Sequence, residues 1–405
     1  MNAVVNRKSK SVETPKARRC SMPMVMGGVA LLGLLAMCFM AVWVADDVWN
    51  AVSRVIWLVL TACVWLGPVK ELSDTERRPL AQFPEVSGKT LLNGSFMEKF
   101  EDYSLDQFPL RDGFRTLKSL FHTCFLGQKD NNGIYLHDGF AAQQEYPLNV
   151  DSLAHAADRF SYLQQKYLTD SQVFFAIVPD KGYYLAEKSG HLAMDYEELF
   201  RYFREELPWA RQIDLRDTLS LEDYYRTDTH WRQENLLPAA KMICEAMGIT
   251  TPKTEDFAPR KVERPFYGVY YGQAALPMKP DAMYLLESDL LKNCTVYDHE
   301  SGKNLPVYDE SKLDSKDLYE IYLSGPRGLL TITNPAGKAG KELIVFRDSF
   351  GSAMIPLLLA DYETVTVVDI RYLQIDLLDR FVDFRGQDVL LLYSTLVLNN
   401  SETIK

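Results

Sequence analysis

Two short segments of the chain carry the residue types that nucleophilic catalysis requires. In the first, the run RDSFG at 347–351, Ser349 stands between an apolar strand pattern and a helical pattern. A serine at a strand-to-helix turn has an exposed hydroxyl, and the N–H groups of the first helical turn can stabilise a developing oxyanion. The segment therefore predicts a nucleophile, although Asp348 or Ser349 could instead serve only as the N-cap of the helix.

The second segment, YYRTDTHW at 224–231, places an acid and an imidazole two residues apart. In an extended loop the side chains of Asp228 and His230 point to the same side, so the carboxylate can orient the imidazole as a general base. The alternative is an N-cap aspartate, a packed histidine and Trp231 in the core, ahead of a helix predicted over 232–247. No third ligand stands at a spacing that predicts a metal site, and no cofactor is predicted.

Helical and strand patterns alternate over most of the chain after residue 150, and turns are more frequent at 250–340. This alternation predicts an α/β domain over 151–405, with a mostly parallel sheet, helices on both faces and an insertion at about 250–340. In such a sheet the chemistry belongs at the carboxyl ends of the strands, where both segments lie. The predicted elements are helices at 151–168, 194–206, 350–360 and 375–381, and strands at 171–179, 211–215, 342–346, 364–370 and 389–394.

Residues 71–150 are predicted to form an N-terminal lead-in to this domain. Residues 93–120 show helical periodicity on either side of Pro109, which predicts two short amphipathic helices. The glycine-punctuated run NNGIYLHDGF at 131–140 predicts a hairpin.

An uncharged run at 20–45 predicts a transmembrane helix over 22–45, because it is long enough to cross a hydrocarbon core of about 30 Å. The basic tail at 1–21 precedes it, so the positive-inside rule keeps the N-terminus in the cytoplasm. A cleaved signal peptide is the alternative, but the run is long for one. Residues 46–70 are predicted to form an interfacial helix or a second membrane helix, because Arg54 interrupts their apolar pattern. With one span the large domain faces outward, and with two it returns to the cytoplasm.

The chain is strongly acidic after residue 67. The formal net charge of the whole chain is −11, and residues 68–405 carry 37 basic and 52 acidic side chains. This balance repels a phosphate backbone, so nucleic acid is not an expected partner. The six cysteines form no CxxC pair, which argues against a local zinc or dithiol motif, and one bridge among Cys124, Cys244 and Cys294 stays open.

Taken jointly, the two segments and several others resemble the DHHW protein family, relatives of the AlgX/AlgJ-type SGNH-hydrolase-like proteins that O-acetylate exopolysaccharides. The resemblance extends from about Glu71 to the end of the chain. The segments that carry it are LSDTERRPLAQFP, NGSFMEKFEDYSLDQFPLRD, VPDK at 178–181, YYRTDTHWRQE, FYGVYYGQA at 266–274 and YSTLVLNNS at 393–401.

The resemblance implies an SGNH-hydrolase-like, flavodoxin-like domain in which Ser349 is the nucleophile, His230 the general base and Asp228 the residue that orients it. It also implies a bacterial, membrane-anchored O-acetyltransferase whose extracytoplasmic domain modifies a cell-surface or secreted polysaccharide. A membrane-bound O-acyltransferase would then supply the acetyl group. An acetylesterase with the same triad is one alternative, and a non-catalytic carbohydrate-binding or assembly protein is another.

The chain departs from the family pattern near the expected oxyanion site. Arg347 replaces the glycine of the usual Gly-Asp-Ser, and no Gly-x-Asn-Asp block is visible. The Ser349 N–H is therefore the first expected oxyanion donor, and the weaker candidates are Gly268, Gly272, Asn399 and Asn400.

Two further features have open roles. Lys181 in VPDKGYY either contacts substrate or is a solvated loop lysine. Tyr267, Tyr270 and Tyr271 either stack on sugar rings or pack a hairpin around the glycines between them.

Overall fold

The computed structural model describes residues 52–56 and 68–405, and residues 52–56 are helical. Across these two ranges, no helix is long and apolar enough to cross a membrane. The predicted basic tail at 1–21 and membrane helix at 22–45 lie outside the described residues, as does most of the predicted segment at 46–70.

The chain divides into two compact units. The first comprises residues 1–69 and 82–111, and its described part contains the helices Gly88–Leu92 and Ser95–Asp106. The second comprises residues 70–81 and 112–405, and it contains every predicted site residue. The helix Arg111–Cys124 follows Pro109, so the prediction of two helices within 93–120 is confirmed.

Eight strands of the second unit form one large sheet. In chain order the strands are β1 (Val173–Val178), β2 (Arg211–Asp214), β3 (Thr295–Asp298), β4 (Lys303–Leu305), β5 (Leu329–Thr333), β6 (Lys338–Arg347), β7 (Tyr362–Val368) and β8 (Asp388–Ser394). Across the sheet their order is β4-β3-β5-β7-β6-β8-β1-β2. The last five strands in this order are mutually parallel, and β5, β3 and β4 pair antiparallel at one edge. The prediction of a mostly parallel sheet is confirmed.

Each face of the large sheet packs against its own hydrophobic core. Alternate residues of β1 point to opposite cores, as Phe174 and Phe175 illustrate. The helix Leu237–Met247 contributes to the first core, and the helices Val150–Tyr167 and Tyr196–Glu206 contribute to the second. Because both faces are covered by apolar groups, polar chemistry is confined to the ends of the strands.

The insertion predicted at about 250–340 contributes more to the sheet than its turn-rich sequence indicates. It supplies β3, β4 and β5. Leu330 and Ile332 of β5 are buried and alternate with the more exposed Thr331 and Thr333. Strands of three to five residues show too little periodicity to be detected from sequence, so reasoning from the pattern missed them.

The helix predicted at 350–360 is corrected by the structure. It is α-helical only over Gly351–Met354 and continues as a 3-10 helix over Ile355–Leu358. Pro356 lacks an N–H and cannot make the next α-helical hydrogen bond. The helix predicted at 375–381 is likewise a 3-10 helix, Ile375–Arg380.

Two other predictions also change. The helix predicted over 232–247 begins only at Leu237, because Pro238 fits the first turn and no other. The helix Lys181–Ser189 was not predicted at all. Cys124, Cys244 and Cys294 are free thiols, so the bridge left open among them is absent.

The remaining elements of the second unit are short. Antiparallel pairings join Leu72–Ser73 with Arg78–Pro79, Asp130–Asn131 with Ile134–His137 and then Phe140–Gln143, and Ala258–Lys261 with Tyr284–Glu287, which confirms the hairpin predicted at 131–140. The other α-helices are Val269–Ala274, Asp289–Asn293 and Thr395–Asn399. The other 3-10 helices are Leu221–Asp223, Gln233–Asn235, Thr254–Asp256, Glu310–Asp314, Leu318–Ile321 and Ser401–Thr403.

Candidate active site

The predicted site residues follow the carboxyl ends of the parallel strands. Ser349 comes two residues after β6, and the loop that carries Asp228 and His230 follows β2. Lys181 comes three residues after β1. Neighbouring parallel strands end at the same edge of a sheet, and this edge is where α/β proteins build their sites.

The turn that presents Ser349 is held by Asp348. Its buried carboxylate accepts a hydrogen bond from the Phe350 N–H at 2.9 Å through Oδ1. Its Oδ2 accepts from both the N–H and the hydroxyl of Ser394, at the end of β8, at 2.7 Å each. Asp348 therefore holds the turn through its side chain, whereas the N-cap of the helix is Phe350 and neither Asp348 nor Ser349 takes that position. The Ser349 hydroxyl is not used in the turn.

The loop that presents His230 is bonded to the same turn. The Trp231 indole is fully buried and donates from Nε1 to the Phe350 carbonyl at 3.0 Å. The Gln233 amide donates to the Ala353 carbonyl at 2.9 Å. These two bonds join segments about 120 residues apart in sequence, so they fix the imidazole relative to the serine.

The structure brings Asp228, His230 and Ser349 together in one line of contacts. His230 Nδ1 lies 2.6 Å from Asp228 Oδ1, and His230 Nε2 lies 2.8 Å from Ser349 Oγ. A carboxylate can only accept, so Nδ1 carries the proton of the neutral imidazole and Nε2 accepts from the serine hydroxyl. This arrangement can deprotonate Ser349 when it attacks an acyl carbon.

The Asp228 carboxylate is fully buried and surrounded by donors. Oδ1 also accepts from the His230 N–H at 3.0 Å, Oδ2 accepts from the Val269 N–H at 2.8 Å, and Arg77 Nη1 lies 3.6 Å from Oδ2. Burial alone would raise the pKa of Asp228, but His230, Arg77 and the Val269 N–H outweigh it and hold that pKa well below its usual range. Asp228 is therefore a permanent anion that can stabilise an imidazolium.

The part of the chain that contains Asp228, His230 and Ser349 is similar to a known protein family. A family described as DHHW protein matches residues 215–368, which include Asp228, His230 and Ser349. Residues 215–368 are called the DHHW segment below, because this family model matches them. The resemblance seen in the sequence is thereby confirmed, and a comparison with curated proteins gives no match.

Two of the solved structures that resemble this chain share its fold over about two thirds of its length. A DHHW family protein from Eubacterium siraeum superposes with a TM-score of 0.54 at 22% identity, covering 68% of this chain and 95% of the other. PatB1 from Bacillus cereus superposes with a TM-score of 0.56 at 16% identity, covering 67% of this chain and 98% of the other. The O-acetyltransferase domain of AlgJ from Pseudomonas putida gives a TM-score of 0.39 at 17% identity, covering 66% of this chain and 92% of that domain.

Two aromatic rings of the DHHW segment flank the imidazole. The Tyr319 ring is stacked on His230, with centroids 3.9 Å apart and planes 8° apart. The Phe350 ring lies 5.0 Å away at 55°. Sequence reasoning found neither contact, because Tyr319 lies in the turn-rich insertion and nothing in its neighbours distinguishes it from a core tyrosine. The stacking keeps the imidazole in the plane that joins the carboxylate and the serine.

Gly268 of the DHHW segment permits a close approach to the acid and does not serve as an oxyanion donor. A Cβ at this position would lie 2.2 Å from the Asp228 Cβ, so only glycine lets the chain bring the Val269 N–H to the carboxylate. The Gly268 N–H itself donates to Thr227 Oγ at 2.9 Å. Gly272 instead packs the backbone of Thr75, whose carbonyl oxygen would lie 1.6 Å from a Cβ there.

The two asparagines considered as oxyanion donors are also used elsewhere. The side-chain amides of Asn399 and Asn400 donate to Glu145 at 3.2 and 3.0 Å. Neither is bonded to the serine turn. Their side-chain amides are therefore not available as oxyanion donors, because they already bind the buried carboxylate of Glu145.

The Ser349 N–H is the backbone donor of this turn that is available to stabilise an oxyanion. Within residues 52–56 and 68–405, the Ser349 N–H donates to no group. The next three N–H groups are used within the turn: Phe350 donates to Asp348 Oδ1, Gly351 to the Asp348 carbonyl at 3.1 Å, and Ser352 to the Ser349 carbonyl at 3.2 Å. The expectation that several N–H groups of the first turn are available is therefore corrected, and only the Ser349 N–H keeps that role.

Arg347 occupies the position of the family glycine without joining the triad. Its side chain is 1% exposed, and its Nη2 donates to the Gly325 carbonyl at 3.3 Å. Its Nη1 lies 3.8 Å from Asp369 Oδ2. Burial lowers the pKa of Arg347, and Asp369 opposes that effect. The arginine thus packs beneath the turn, which explains how the departure from glycine is tolerated.

The three tyrosines of the DHHW segment do not pack a hairpin, because Val269–Ala274 is a helix. Tyr270 is buried and donates its hydroxyl to Thr229 Oγ at 3.1 Å, so it supports the loop that carries His230. Tyr267 is 42% exposed, and its ring centroid lies 4.7 Å from that of Tyr271. Sugar stacking stays a prediction for this pair only.

Lys181, outside the DHHW segment, is neither a solvated lysine nor a surface contact for substrate. It is 2% exposed, its Nζ donates to the Tyr225 carbonyl at 2.9 Å, and the ammonium lies 4.9 Å from the Tyr270 ring centroid. Burial lowers the pKa of Lys181 to about 7, although Asp228, Asp281 and Asp180 oppose that effect. The lysine holds the start of the catalytic loop.

The Lys181→Met variant is expected to change the pH dependence of stability. The folded protein releases the Lys181 proton near pH 7 and the unfolded chain releases it near 10.5, so between these values the unfolded state binds more protons. The free energy of unfolding therefore gains about 1.4 kcal/mol per pH unit from this group as the pH rises from 7 toward 10. Urea unfolding from pH 6 to 10 should show this slope in wild type relative to Lys181→Met.

The control is Lys188→Met, an exposed change on the same helix, which should follow wild type. If the free energy of unfolding changed with pH in the same way in wild type and in Lys181→Met, the lowered pKa of Lys181 would be contradicted.

Proposed function

We propose that this protein is a membrane-anchored, extracytoplasmic enzyme that transfers acetyl groups to the hydroxyl groups of a polysaccharide. The observation that carries the proposal is the line of contacts from Asp228 through His230 to Ser349, with distances of 2.6 and 2.8 Å. Family resemblance and fold support the same conclusion, since the matched family segment contains all three residues.

In the first half of the reaction Ser349 takes up the acetyl group. His230 Nε2 removes the proton of the serine hydroxyl as Oγ forms a bond with the carbonyl carbon of the donor ester. The negative charge that develops on the carbonyl oxygen is stabilised by the Ser349 N–H. The leaving alcohol takes the proton back from the imidazolium, and the acetyl group stays on Oγ.

In the second half a sugar hydroxyl accepts the acetyl group. His230, neutral again, removes the proton of that hydroxyl as its oxygen attacks the acetyl carbon. The bond to Ser349 Oγ then breaks, and Oγ recovers the proton from the imidazolium. Asp228 stabilises the imidazolium in both halves without taking the proton, and the scheme uses no cofactor.

The substrate and the acetyl donor follow from the surface of the protein and its orientation. A polysaccharide fits the family resemblance and the pair formed by the exposed Tyr267 and the half-buried Tyr271, whose rings offer apolar faces for sugars. The acidic residues 68–405 disfavour nucleic acid. An outward-facing enzyme has no access to cytoplasmic acetyl donors, so we further propose that a membrane-bound O-acyltransferase supplies the acetyl group.

Transfer to a sugar is tested against hydrolysis with the full chain. Wild type is incubated with an activated aryl acetate, with and without an oligosaccharide acceptor, and acetyl groups on Ser349 and on the acceptor are detected by mass spectrometry. We expect acetyl-Ser349 and an acetylated acceptor. Acetyl-Ser349 followed by free acetate alone would identify an esterase, and no acetylation of Ser349 would favour a carbohydrate-binding protein.

The outward orientation is tested by thiol labelling in a cysteine-free background. A cysteine at position 74 should react with a membrane-impermeant reagent in intact cells, whereas one at position 11 should be protected, because the segment at 22–45 spans once. Protection at position 74 would place the catalytic domain inside and overturn the extracytoplasmic assignment.

A further inference from the structure

We propose that Arg77 is a positioning residue of this active site, which holds the Asp228 carboxylate in place by bridging it to Asp317. This inference rests on the proposed function for its kinetic consequences, although the contacts themselves do not depend on that function. Arg77 lies about 150 residues before Asp228 in the sequence and outside the DHHW segment.

The guanidinium of Arg77 contacts three groups around the acid. Its Nη1 lies 2.8 Å from Asp317 Oδ2 and 3.6 Å from Asp228 Oδ2. Its Nη2 donates to the Tyr267 carbonyl at 2.9 Å, next to the glycine that packs on Asp228. The Arg77 side chain is 13% exposed, so solvent screens these interactions only weakly.

Arg77 is fixed in this position by the hairpin formed by Leu72–Ser73 and Arg78–Pro79. Its φ of 53° lies in the left-handed region, which is strained for a residue other than glycine. The Arg77 N–H donates to the Ser73 carbonyl at 2.9 Å, and this bond closes the turn. A strained turn that aims a charged side chain at a buried carboxylate is expected at a functional position.

The hairpin is in turn seated on the helix that begins at Val269. The Thr75 carbonyl packs directly against Gly272, leaving no room for a Cβ there. Arg115 joins the two elements, because it donates to the Gly272 carbonyl at 2.8 Å and lies 3.0 Å from Glu76. Arg77 and the Val269 N–H, the two groups that face Asp228 Oδ2, are therefore held by one assembly.

Arg77 also balances two carboxylates that would otherwise repel each other. Burial and the negative charge of Asp228 raise the pKa of Asp317, and Arg77 opposes them. Asp317 is linked to the imidazole as well, since its Oδ1 accepts from the N–H of Tyr319, the residue stacked on His230. Loss of the guanidinium would leave two anions beside the imidazole, which would then hold its proton more tightly.

Other groups near His230 also set its charge. A change at position 77 removes one of them, the Arg77 guanidinium, and takes away the ion-pair partner of a second, Asp317. The titratable or charged groups that face the imidazole or its carboxylate are Asp228 on its own loop, Arg77 on the hairpin, Asp317 and Tyr319 before and within the helix Leu318–Ile321, Asp348 and Ser349 on the turn after β6, and Lys181 at the start of its helix.

The test compares Arg77→Met with Lys316→Met in the full chain. Lys316 forms an exposed ion pair at 2.5 Å with Asp74 of the same hairpin, so its removal weakens the hairpin without touching Asp228. We expect Arg77→Met to lower kcat/KM about 10²-fold at pH 7 and to move the acid limb of the pH–rate profile up by about one pH unit. Lys316→Met should leave both unchanged. An unshifted acid limb in an active Arg77→Met protein would overturn the proposal.

Two further measurements test the proposal if Arg77→Met does not fold or if wild type shows no turnover. If Arg77→Met does not fold, Asp317→Asn removes the second carboxylate instead and should move the acid limb of the pH–rate profile down. An unmoved limb would count against the proposal.

If wild type shows no turnover that depends on Ser349, the proposed function fails on its own. The His230 titration, followed by NMR on histidine-labelled protein and assigned with His230→Gln, should then still shift upward in Arg77→Met, and no shift would overturn the positioning role.

Discussion

Replacing Ser349 by alanine is expected to lower acetyl turnover by about 10⁶-fold, an effect as large as that of removing His230. The Ser349 hydroxyl lies at hydrogen-bond distance from His230 Nε2, so its loss removes the atom that would form the acyl bond. The turn itself should persist, because Asp348 and not the Ser349 hydroxyl makes its side-chain hydrogen bonds. Turnover of an activated aryl acetate by the full chain measures the effect.

The control for this change is Ser352→Ala, three residues further along the same turn. Only the backbone N–H of Ser352 is bonded in the turn, to the Ser349 carbonyl, and alanine keeps that bond. This variant should retain wild-type turnover, and both variants should unfold at the wild-type temperature. Equal turnover in wild type and Ser349→Ala would refute the nucleophile.

The Asp228→Asn variant is expected to lose about 10⁴-fold in kcat and to keep a small residual rate. Every group that contacts the carboxylate is a donor: the N–H and Nδ1–H of His230, the Val269 N–H and the Arg77 guanidinium. In one orientation the asparagine NH₂ would face Nδ1–H, and the imidazole would lose its partner. In the other it would face the Val269 N–H and Arg77, and the imidazolium would lose the negative charge that stabilises it. The variant should also be less stable than wild type, because a buried donor is left unpaired.

Asp223→Asn provides a matched comparison on the same loop. The Asp223 carboxylate accepts only from the N–H and the hydroxyl of Ser220, through a single oxygen, and an amide oxygen can replace that acceptor. We therefore expect near wild-type kcat for Asp223→Asn. A wild-type kcat in Asp228→Asn, measured together with its unfolding temperature, would show that the carboxylate does not orient the base.

The triad could be predicted from sequence because its members stand in short segments with local signals. The apolar strand before Ser349 and the two-residue spacing of Asp228 and His230 are properties of adjacent residues. The parallel part of the sheet was predictable for the same reason, since long apolar strands alternate with helices. Lys181 was misjudged because VPDKGYY has the composition of an exposed turn, whereas its burial depends on a loop more than forty residues away.

The groups that support the triad could not be predicted in this way. Tyr319 is stacked on an imidazole 89 positions away in sequence, and Arg77 reaches Asp228 from before the first strand of the large sheet. Gly268 has no positive φ or turn motif, and its role depends entirely on the approach of Asp228. Such contacts follow from tertiary packing, which no local pattern encodes.

The position of β8 has a consequence for biosynthesis. This strand lies between β6 and β1, yet it is the last of the eight strands to be made. Until it is inserted, the half of the sheet that ends at Ser349 and the half that ends at Lys181 have no edge in common, and Asp348 lacks its partner Ser394. A nascent chain therefore cannot complete the turn that presents Ser349 until β8 has emerged from the ribosome or the translocation channel.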